Sequence, residues 1–419
     1  MMLNNSYICA VDIGSNKIAA SLAQIKKGRI EHIYFDTIVS GGVKEGVIVD
    51  ALELVSCLNR IIKNLKAKSG LRIKFIHTNF SGRDISTKHS HAIIPLAERG
   101  NKVITSTDIA NANEQARILG SSLDEEIIHV IASSYTIDSK SNVINPVGLY
   151  SHRLEADLFL VYAKLSSLQS LSRAVAQAGY EIKNLSFSGL ATSRAVFSKE
   201  EKKGLSVFCD VGSDITELLV FKDGLLQDIQ ILPLGGSSLT LQLSEGLKIN
   251  YELAEDIKRS YGIIGDPDII PEDKEILVKK DEFYKPIKHK QVAQIATSSG
   301  RLICTQIKEA VEKRAALYEI DNFIMTGKTL LSDGFIEMME SVMGIPVKIG
   351  RINNPEIVQL LKEHSDLSGQ KYLTYLTCLG MICEDLENKT VGGASLVKPA
   401  QNLFIRLINR FKEVYQEYF

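Results

Sequence analysis

Two short hairpins carry the residue types and spacing that could bind a phosphate chain. An Asp-x-Gly-Ser sequence follows an apolar run at Asp12, and a second one follows another apolar run at Asp210. Glycine lets the backbone approach phosphate oxygens, and the amide groups of the turn then cradle the anion. An aspartate at the strand end repels phosphate directly but can hold the water shell of a bound Mg²⁺. One such hairpin is usually an ordinary β-turn, whereas two facing hairpins would hold a triphosphate and its metal from both sides.

Further polar residues are candidates for the same ligand. The groups that could reach phosphate oxygens are the glycines of both turns, one ammonium group and three hydroxyl groups, on Gly14, Ser15, Lys17, Gly212, Ser213 and Thr216. Glu255 and Lys258 lie three residues apart on one helical face and could contact ribose, although a solvated ion pair would have the same spacing. A third glycine turn, at Gly327, follows an apolar run and could pass close to an adenine.

The two hairpins belong to matching β-meanders. The six strand-like runs are 7–11, 18–25 and 30–35, then 205–209, 215–221 and 225–232. Helical periodicity is clear over 52–65, 166–178, 253–261 and 302–317. Strands and helices alternate along the chain, which predicts an α/β fold with an internal duplication.

Two segments differ from the rest of the chain in composition and in their pattern of apolar residues. Strand-like runs within 83–162 surround a predicted helix at 106–119, for which Thr107 and Asp108 are the expected N-cap, so this region is predicted to be a small α/β insert. The stretch 266–289 is charged and contains three prolines, which indicates a partly irregular segment.

Composition excludes several classes of protein. The chain has 419 residues and a formal net charge of −1, so no broad positive field indicates nucleic acid as a partner. Its six cysteines form no CxxC pair and no zinc spacing, which is typical of a reducing compartment. No apolar run reaches the roughly 20 residues of a membrane span, so we expect any membrane contact to be peripheral.

The segment 403–419 is predicted to be an amphipathic helix on a tether. The preceding stretch, 387–402, contains a Gly-Gly pair and a proline and is expected to be a linker. The predicted membrane-facing residues are Leu403, Phe404, Leu407, Ile408, Phe411, Val414, Tyr415 and Tyr418. A terminal, aromatic-rich apolar face favours a membrane interface over docking on the chain's own surface or on a partner helix.

Longer motifs resemble one family. AVDIGSNK at 10–17 is similar to the first phosphate motif of FtsA, a bacterial cell-division family of the actin/Hsp70/sugar-kinase superfamily. The other matching segments are 43–50, 145–149 with 153–155, 233–262 and 347–350. The resemblance therefore covers nearly the whole chain.

The resemblance implies an actin-like fold of two lobes separated by a cleft. Its implied subdomains are 1A (1–82, 163–203 and helices near 370–386), the SHS2-like 1C (83–162), 2A (204–262 and 323–369) and 2B (263–322). It also implies ATP and Mg²⁺ as cofactors, with Asp12 and Asp210 holding the metal through water and Gly235 and Gly236 beside the phosphates.

The implied function is a scaffold that polymerises on the inner face of the cell membrane at the division site and tethers FtsZ to it. Subdomain 2B would bind the C-terminal tail of FtsZ through Arg301, and the remaining partners would be membrane lipid, other membrane proteins of the divisome and further copies of the chain. Any ATPase activity is expected to be slow. The alternative is an adaptor that resembles the pilus-assembly protein PilM. A small-molecule kinase of the same superfamily would need a catalytic carboxylate beside a sugar pocket, and no motif indicates one.

Three positions, in two motifs, depart from the family pattern. The second phosphate motif has Ser213 and Asp214 where the family usually has glycines, and Asp214 brings a negative charge near the expected phosphates. Lys328 replaces the second glycine of the adenine turn and would offset part of that charge if the two side chains approach.

Overall fold

A computed structural model describes residues 6–97, 100–138, 140–198, 200–280, 283–362, 367, 370–390 and 397–399. The strands are β1 (Ser6–Ile13), β2 (Lys17–Lys26), β3 (Arg29–Val39), β4 (Val43–Lys44), β5 (Val47–Ile48), β6 (Phe75–Phe80), β7 (Ile85–Pro95), β8 (Lys102–Val103), β9 (Glu125–Ile137), β10 (Lys140–Val143), β11 (Tyr150–Ser151), β12 (Arg153–Lys164), β13 (Glu181–Phe187), β14 (Leu205–Val211), β15 (Thr216–Lys222), β16 (Leu225–Leu232), β17 (Glu275–Lys280), β18 (Phe283–Lys288), β19 (Ile320–Thr326), β20 (Lys348–Ile349) and β21 (Val397–Pro399). The helices are α1 (Ala51–Ser69), α2 (Ser106–Leu119), α3 (Leu165–Gln177), α4 (Ser188–Val196), α5 (Gly236–Leu247), α6 (Tyr251–Tyr261), α7 (His289–Glu312), α8 (Phe335–Met343), α9 (Pro355–Lys362) and α10 (Leu376–Thr390).

The first lobe is built on a five-stranded sheet in the order β13-β6-β1-β2-β3. Helices cover both of its faces: α1 and α3 pack in one apolar cluster, and α10 packs against β1 and β2 in another. This double cover explains why β1 and β2 are nearly continuous apolar runs instead of alternating ones. Neighbouring residues cap both ends of α1. The Asp50 side chain accepts from Glu53 N at the N-terminal end, and Gly70 adopts a left-handed conformation at the C-terminal end.

The second lobe repeats this arrangement. Its sheet has the order β16-β15-β14-β19-β20, so a meander again adds two parallel strands on one side. Helices α5, α7 and α8 contribute to a single large apolar cluster against it. The predicted duplication is confirmed, and it covers five strands in each lobe where the sequence indicated three.

Each lobe carries an insertion. Residues between β6 and α3 form a third sheet, β10-β9-β12-β7, with α2 packed against β7 and β12. The helix predicted at 106–119 is confirmed, but its N-cap is Thr105, whose hydroxyl accepts from Asp108 N while the Asp108 carboxylate accepts from Thr105 N. The expected Thr107–Asp108 cap was therefore wrong: the N-cap lies two residues before Thr107, and Asp108 is the acidic N3 partner of a capping box.

The second insertion is more regular than its composition indicated. The stretch 266–289 includes the antiparallel hairpin β17–β18, in which Pro286 lies opposite Leu277. Helix α7 begins at His289, thirteen residues before the predicted start at 302. Its first half buries small residues, among them Ala293, Ala296 and Gly300, which give a weak apolar signal although they pack closely.

The predicted linker at 387–402 contains the end of α10 and the short strand β21, which pairs antiparallel with β9. The predicted helix at 403–419 lies outside the described residues. Among the helices that the structure describes, none has the length and apolarity required to cross a bilayer.

Candidate nucleotide cleft

The first hairpin, at the end of β1, holds its aspartate with two partners. Asp12 Oδ1 accepts from Asn79 Nδ2 at 2.8 Å, and Asp12 Oδ2 lies 3.1 Å from Lys17 Nζ. Asn79 Oδ1 also accepts from Ile13 N at 2.7 Å, which fixes the turn to the end of β6. Lys17 Nζ donates in addition to the carbonyl of Thr374. The carboxylate of Asp12 is therefore both hydrogen-bonded and ion-paired.

The second hairpin, at the end of β14, has the same backbone plan but fewer partners. Asp210 Oδ1 accepts from Thr326 Oγ1 at 2.9 Å, and Thr326 ends the neighbouring parallel strand β19 as Asn79 nearly ends β6. Asp210 makes no ion pair among the described residues. Burial raises the pKa of its carboxyl group to about 6, and the nearby Asp12 adds to this rise, while Thr326 and Lys17 oppose it.

A third carboxylate, which sequence reasoning did not single out, lies beside these two. Glu217 is directly opposite Asp210 across the β14–β15 hairpin, and residues opposite each other point to the same face of a sheet. Its pKa is well above the ordinary value because of burial first and of Asp210 next. Ser81 donates to Glu217 Oε1, while Oε2 is buried with no partner in the described part of the chain. The register of the β14–β15 hairpin, which pairs Glu217 with Asp210, is the signal from which Glu217 could have been predicted.

Both hairpins line one cavity of about 590 Å³ between the lobes. The predicted residues that line this cavity are Asp12, Gly14, Ser15, Lys17, Asp210, Gly212, Ser213, Gly236, Glu255, Lys258 and Gly327. The backbone of the turns is tightly constrained: a Cβ at Gly327 would lie 2.1 Å from Val211 O, and the residue has φ +101°. Only glycine therefore fits that turn.

The candidate ribose contacts form a compact polar group on α6. Lys258 Nζ lies 2.6 Å from Glu255 Oε2 and donates to Thr240 Oγ1 at 2.8 Å and to Gly236 O at 3.1 Å. Burial lowers the pKa of Lys258, and its bond to Glu255 opposes that effect. The pair is thus an ordered ion pair on the cavity wall, and not the solvated surface pair that was the alternative.

Two of the residues predicted at the phosphates do not line the cavity. Thr216 is fully buried and its hydroxyl donates to Leu234 O at 2.9 Å, so it does not face the cavity as expected. Gly235 does not line the cavity either; a Cβ there would lie 2.4 Å from Ser213 O, so the glycine permits close packing behind the turn. Arg301 is exposed on α7. The eight predicted membrane-facing residues lie outside the described chain.

Lys328 and Asp214 do not compensate each other. Burial lowers the pKa of Lys328 to about 8, and the cations Lys17 and Arg259 lower it further, while Asp12 is the acidic group that opposes them. Asp214 Oδ2 instead accepts from Glu45 N at 2.9 Å, on the opposite side of the cleft.

The residues present fit a magnesium nucleotide. The glycine turns at Gly14, Gly212 and Gly327 line the cavity together with Lys17, Lys258 and Lys328. Glu217 also lines it, and its buried Oε2 has no partner in the described part of the chain. No group of three described His, Cys, Asp or Glu side chains could ligate a metal directly. A magnesium ion would therefore depend on water and phosphate oxygens for most of its ligands.

Comparison with known proteins identifies the fold and the family. The chain matches a solved PilM–PilN type IV pilus biogenesis complex with a TM-score of 0.59 at 12% identity, over 91% of this chain and 98% of that one. The duplicated sheets, the cleft and this likeness define an actin-like ATPase fold with an inserted third sheet.

Two family models then identify the family. Residues 82–162 match the SHS2 domain inserted in FtsA, and residues 207–375 match the cell division protein FtsA. The chain is 26% identical over 353 residues to FtsA of Borreliella burgdorferi (83% of this chain, 85% of that one) and 25% identical over 408 residues to FtsA of Streptococcus pneumoniae (96% and 89%). It belongs to the FtsA family of cell-division proteins.

Proposed function

We propose that this chain is an ATP-binding division scaffold that polymerises on the inner face of the cell membrane and tethers FtsZ filaments to it. The observation that carries the proposal is the pair of Asp-x-Gly-Ser hairpins on opposite walls of one cavity, in a chain of the FtsA family. The remaining partners in this proposal are membrane lipid, reached through the segment 403–419, and other membrane proteins of the divisome.

In this proposal the cleft binds nucleotide as a structural ligand. The turns at Gly14 and Gly212 would supply amide groups to the phosphates, and Asp12 and Asp210 would orient the water shell of Mg²⁺. The metal would supply the positive charge that lets two aspartates and a polyphosphate share one cavity. A ligand held by both lobes stabilises the closed arrangement by mass action. We expect any ATP hydrolysis to be slow.

The partner site is proposed on α7. Arg301 is exposed there, next to the exposed Leu302, so a cation and an apolar side chain lie side by side on the surface. Such a pair fits a short peptide with acidic and apolar residues. The pilus-assembly alternative is not favoured, because the likeness to PilM is one of fold and both family models are of FtsA.

The test is binding of a fluorescent FtsZ C-terminal tail peptide to the full chain, measured by anisotropy with and without Mg·ATP. We expect saturable binding that Arg301→Glu abolishes. Lys313→Glu is the matched control, because Lys313 is also exposed at the far end of the same helix and should leave binding unchanged. Absence of saturation, or equal loss in both variants, would contradict the proposed tethering site.

A further inference from the structure

Hydrogen bonds connect the two lobes beside the cavity. Asp214, in the second hairpin, accepts a hydrogen bond from the Glu45 amide of the first lobe at 2.9 Å. Ser81 of the first lobe donates to Glu217 of the second, and Arg259 Nη2 lies 3.4 Å from Asn16 Oδ1. The lobes are therefore connected at several points around the cavity.

The donor to Asp214 is positioned by a constrained turn. Glu45 and Gly46 form the two-residue connection between β4 and β5, and both have positive φ, +51° and +75°. A Cβ at Gly46 would lie 2.5 Å from Ser81 O, so the turn is packed firmly on the end of β6. The Gly46 amide donates to Ser15 Oγ of the first hairpin at 3.3 Å. The turn thus presents two successive amides toward the place where both phosphate hairpins meet.

Backbone amides of a turn can bind an anion, and here the carboxylate of Asp214 accepts from one of them while Ser15 Oγ accepts from the next. Asp214 follows Gly212 and Ser213, the cradle of the second hairpin, and lines the same cavity. No described lysine or arginine forms an ion pair with Asp214; Arg83 instead lies 3.4 Å from the Glu45 carboxylate. Its negative charge is therefore compensated by a backbone dipole and not by a neighbouring cation.

The geometry points to Asp214 as a stand-in for the terminal phosphate of a nucleotide, so that the cleft prefers a nucleoside diphosphate to a triphosphate. This inference rests on the proposed function of the cleft. A ligand anchored near Glu255 and Lys258, with its phosphates between the hairpins, would have its last phosphate near Asp214, which lines the same cavity. A diphosphate leaves the bond between Asp214 and Glu45 intact, whereas a third phosphate meets a fixed negative charge and competes for the same amide.

Calorimetric titration of the full chain with Mg·ADP and with the magnesium complex of a β,γ-imido analogue of ATP tests this. We expect the wild type to bind ADP more tightly than the analogue by about tenfold or more, which is the effect of one like-charge contact at short range. Asp214→Asn keeps an acceptor oxygen but removes the charge, and it should reduce the ratio of the two dissociation constants by about tenfold. Asp214→Gly, which restores the family's residue, should shift the ratio the same way.

Asp256→Asn is the matched control, because Asp256 is exposed on α6, off the cavity, and should leave the ratio unchanged. A second readout is hydrogen exchange at the Glu45 amide, which should be slow in the wild type and faster in Asp214→Gly. Binding of both nucleotides with a ratio that Asp214→Asn does not alter would overturn the inference while leaving the proposed function standing. Failure of both nucleotides to bind wild type and variants, or binding that Asp210→Ala leaves unchanged, would overturn the cleft assignment itself.

Discussion

In the first lobe Asp12 is held by an amide and an ammonium group, from Asn79 and Lys17, whereas in the second lobe the partner that the described residues give Asp210 is the hydroxyl of Thr326. The strands that carry these groups are equivalent, since each aspartate lies one residue before the end of the first strand of its meander. The two lobes therefore share the same backbone arrangement at these aspartates, but the negative charge of Asp210 is less well compensated than that of Asp12. The second aspartate is left with a raised pKa, and the missing positive charge is what a bound metal ion would supply.

The largest expected effect is on the backbone of the turn that follows β19 in the second lobe. Gly327→Ala forces an alanine to φ +101° and places its Cβ 2.1 Å from Val211 O. We expect a loss of roughly 3 kcal/mol or more in the free energy of unfolding. Gly14→Ala meets only Lys17 O, at 3.1 Å, and should cost about 1 kcal/mol. Urea denaturation of both variants measures the difference, and equal losses would mean that the turn after β19 accommodates a Cβ as easily as the hairpin at Gly14 does.

The charge difference predicts opposite effects of removing each aspartate's charge in the nucleotide-free protein. The folded-state pKa of Asp210 is about 6, above the ordinary 3.8. The folded protein then binds more protons between these values, so the stabilising contribution is present below pH 3.8 and is lost as pH rises through about 6. Asp210→Asn should raise stability at pH 7.5 by about 1–3 kcal/mol and change it little near pH 4. Asp12→Asn should lower it by about 1–2 kcal/mol, because Lys17 loses its partner.

Urea denaturation at pH 4 and pH 7.5, without nucleotide, measures both variants. Glu217 also contributes, since Asp210 raises its pKa, and removal of the Asp210 charge relieves both groups together. Destabilisation of similar size in the two variants would contradict the comparison, because it would mean that both carboxylates are equally well compensated.

Sequence patterns predicted the meanders but not the groups that complete them. The three antiparallel strands of each lobe are close in sequence, so turns and periodicity indicate them. The parallel strands β6 and β19 pair with strands that are far away in the chain. For that reason the sequence did not identify Asn79 as a hydrogen-bond partner of Asp12. The bond between Asp214 and Glu45 joins residues 169 positions apart, in different lobes. A sequence motif identifies the aspartate, but it does not identify the distant residue that compensates the charge of its carboxylate.

The smallest expected effect isolates the hydrogen bond that Thr326 donates to Asp210. The Thr326 hydroxyl donates to the carboxylate and lowers its pKa, so Thr326→Val should raise that pKa further. The cost, about 1 kcal/mol, should appear only above pH 6, where Asp210 is charged, and fade toward pH 4. Thr329→Val is the matched control, because the Thr329 hydroxyl donates at 2.8 Å to Gly212 O, which does not titrate. The loss of stability in Thr329→Val should be the same above pH 6 and near pH 4. If the two variants showed the same pH dependence in urea denaturation, Asp210 would not be the under-compensated carboxylate, and the asymmetry between the two hairpins would have to lie in their backbones alone.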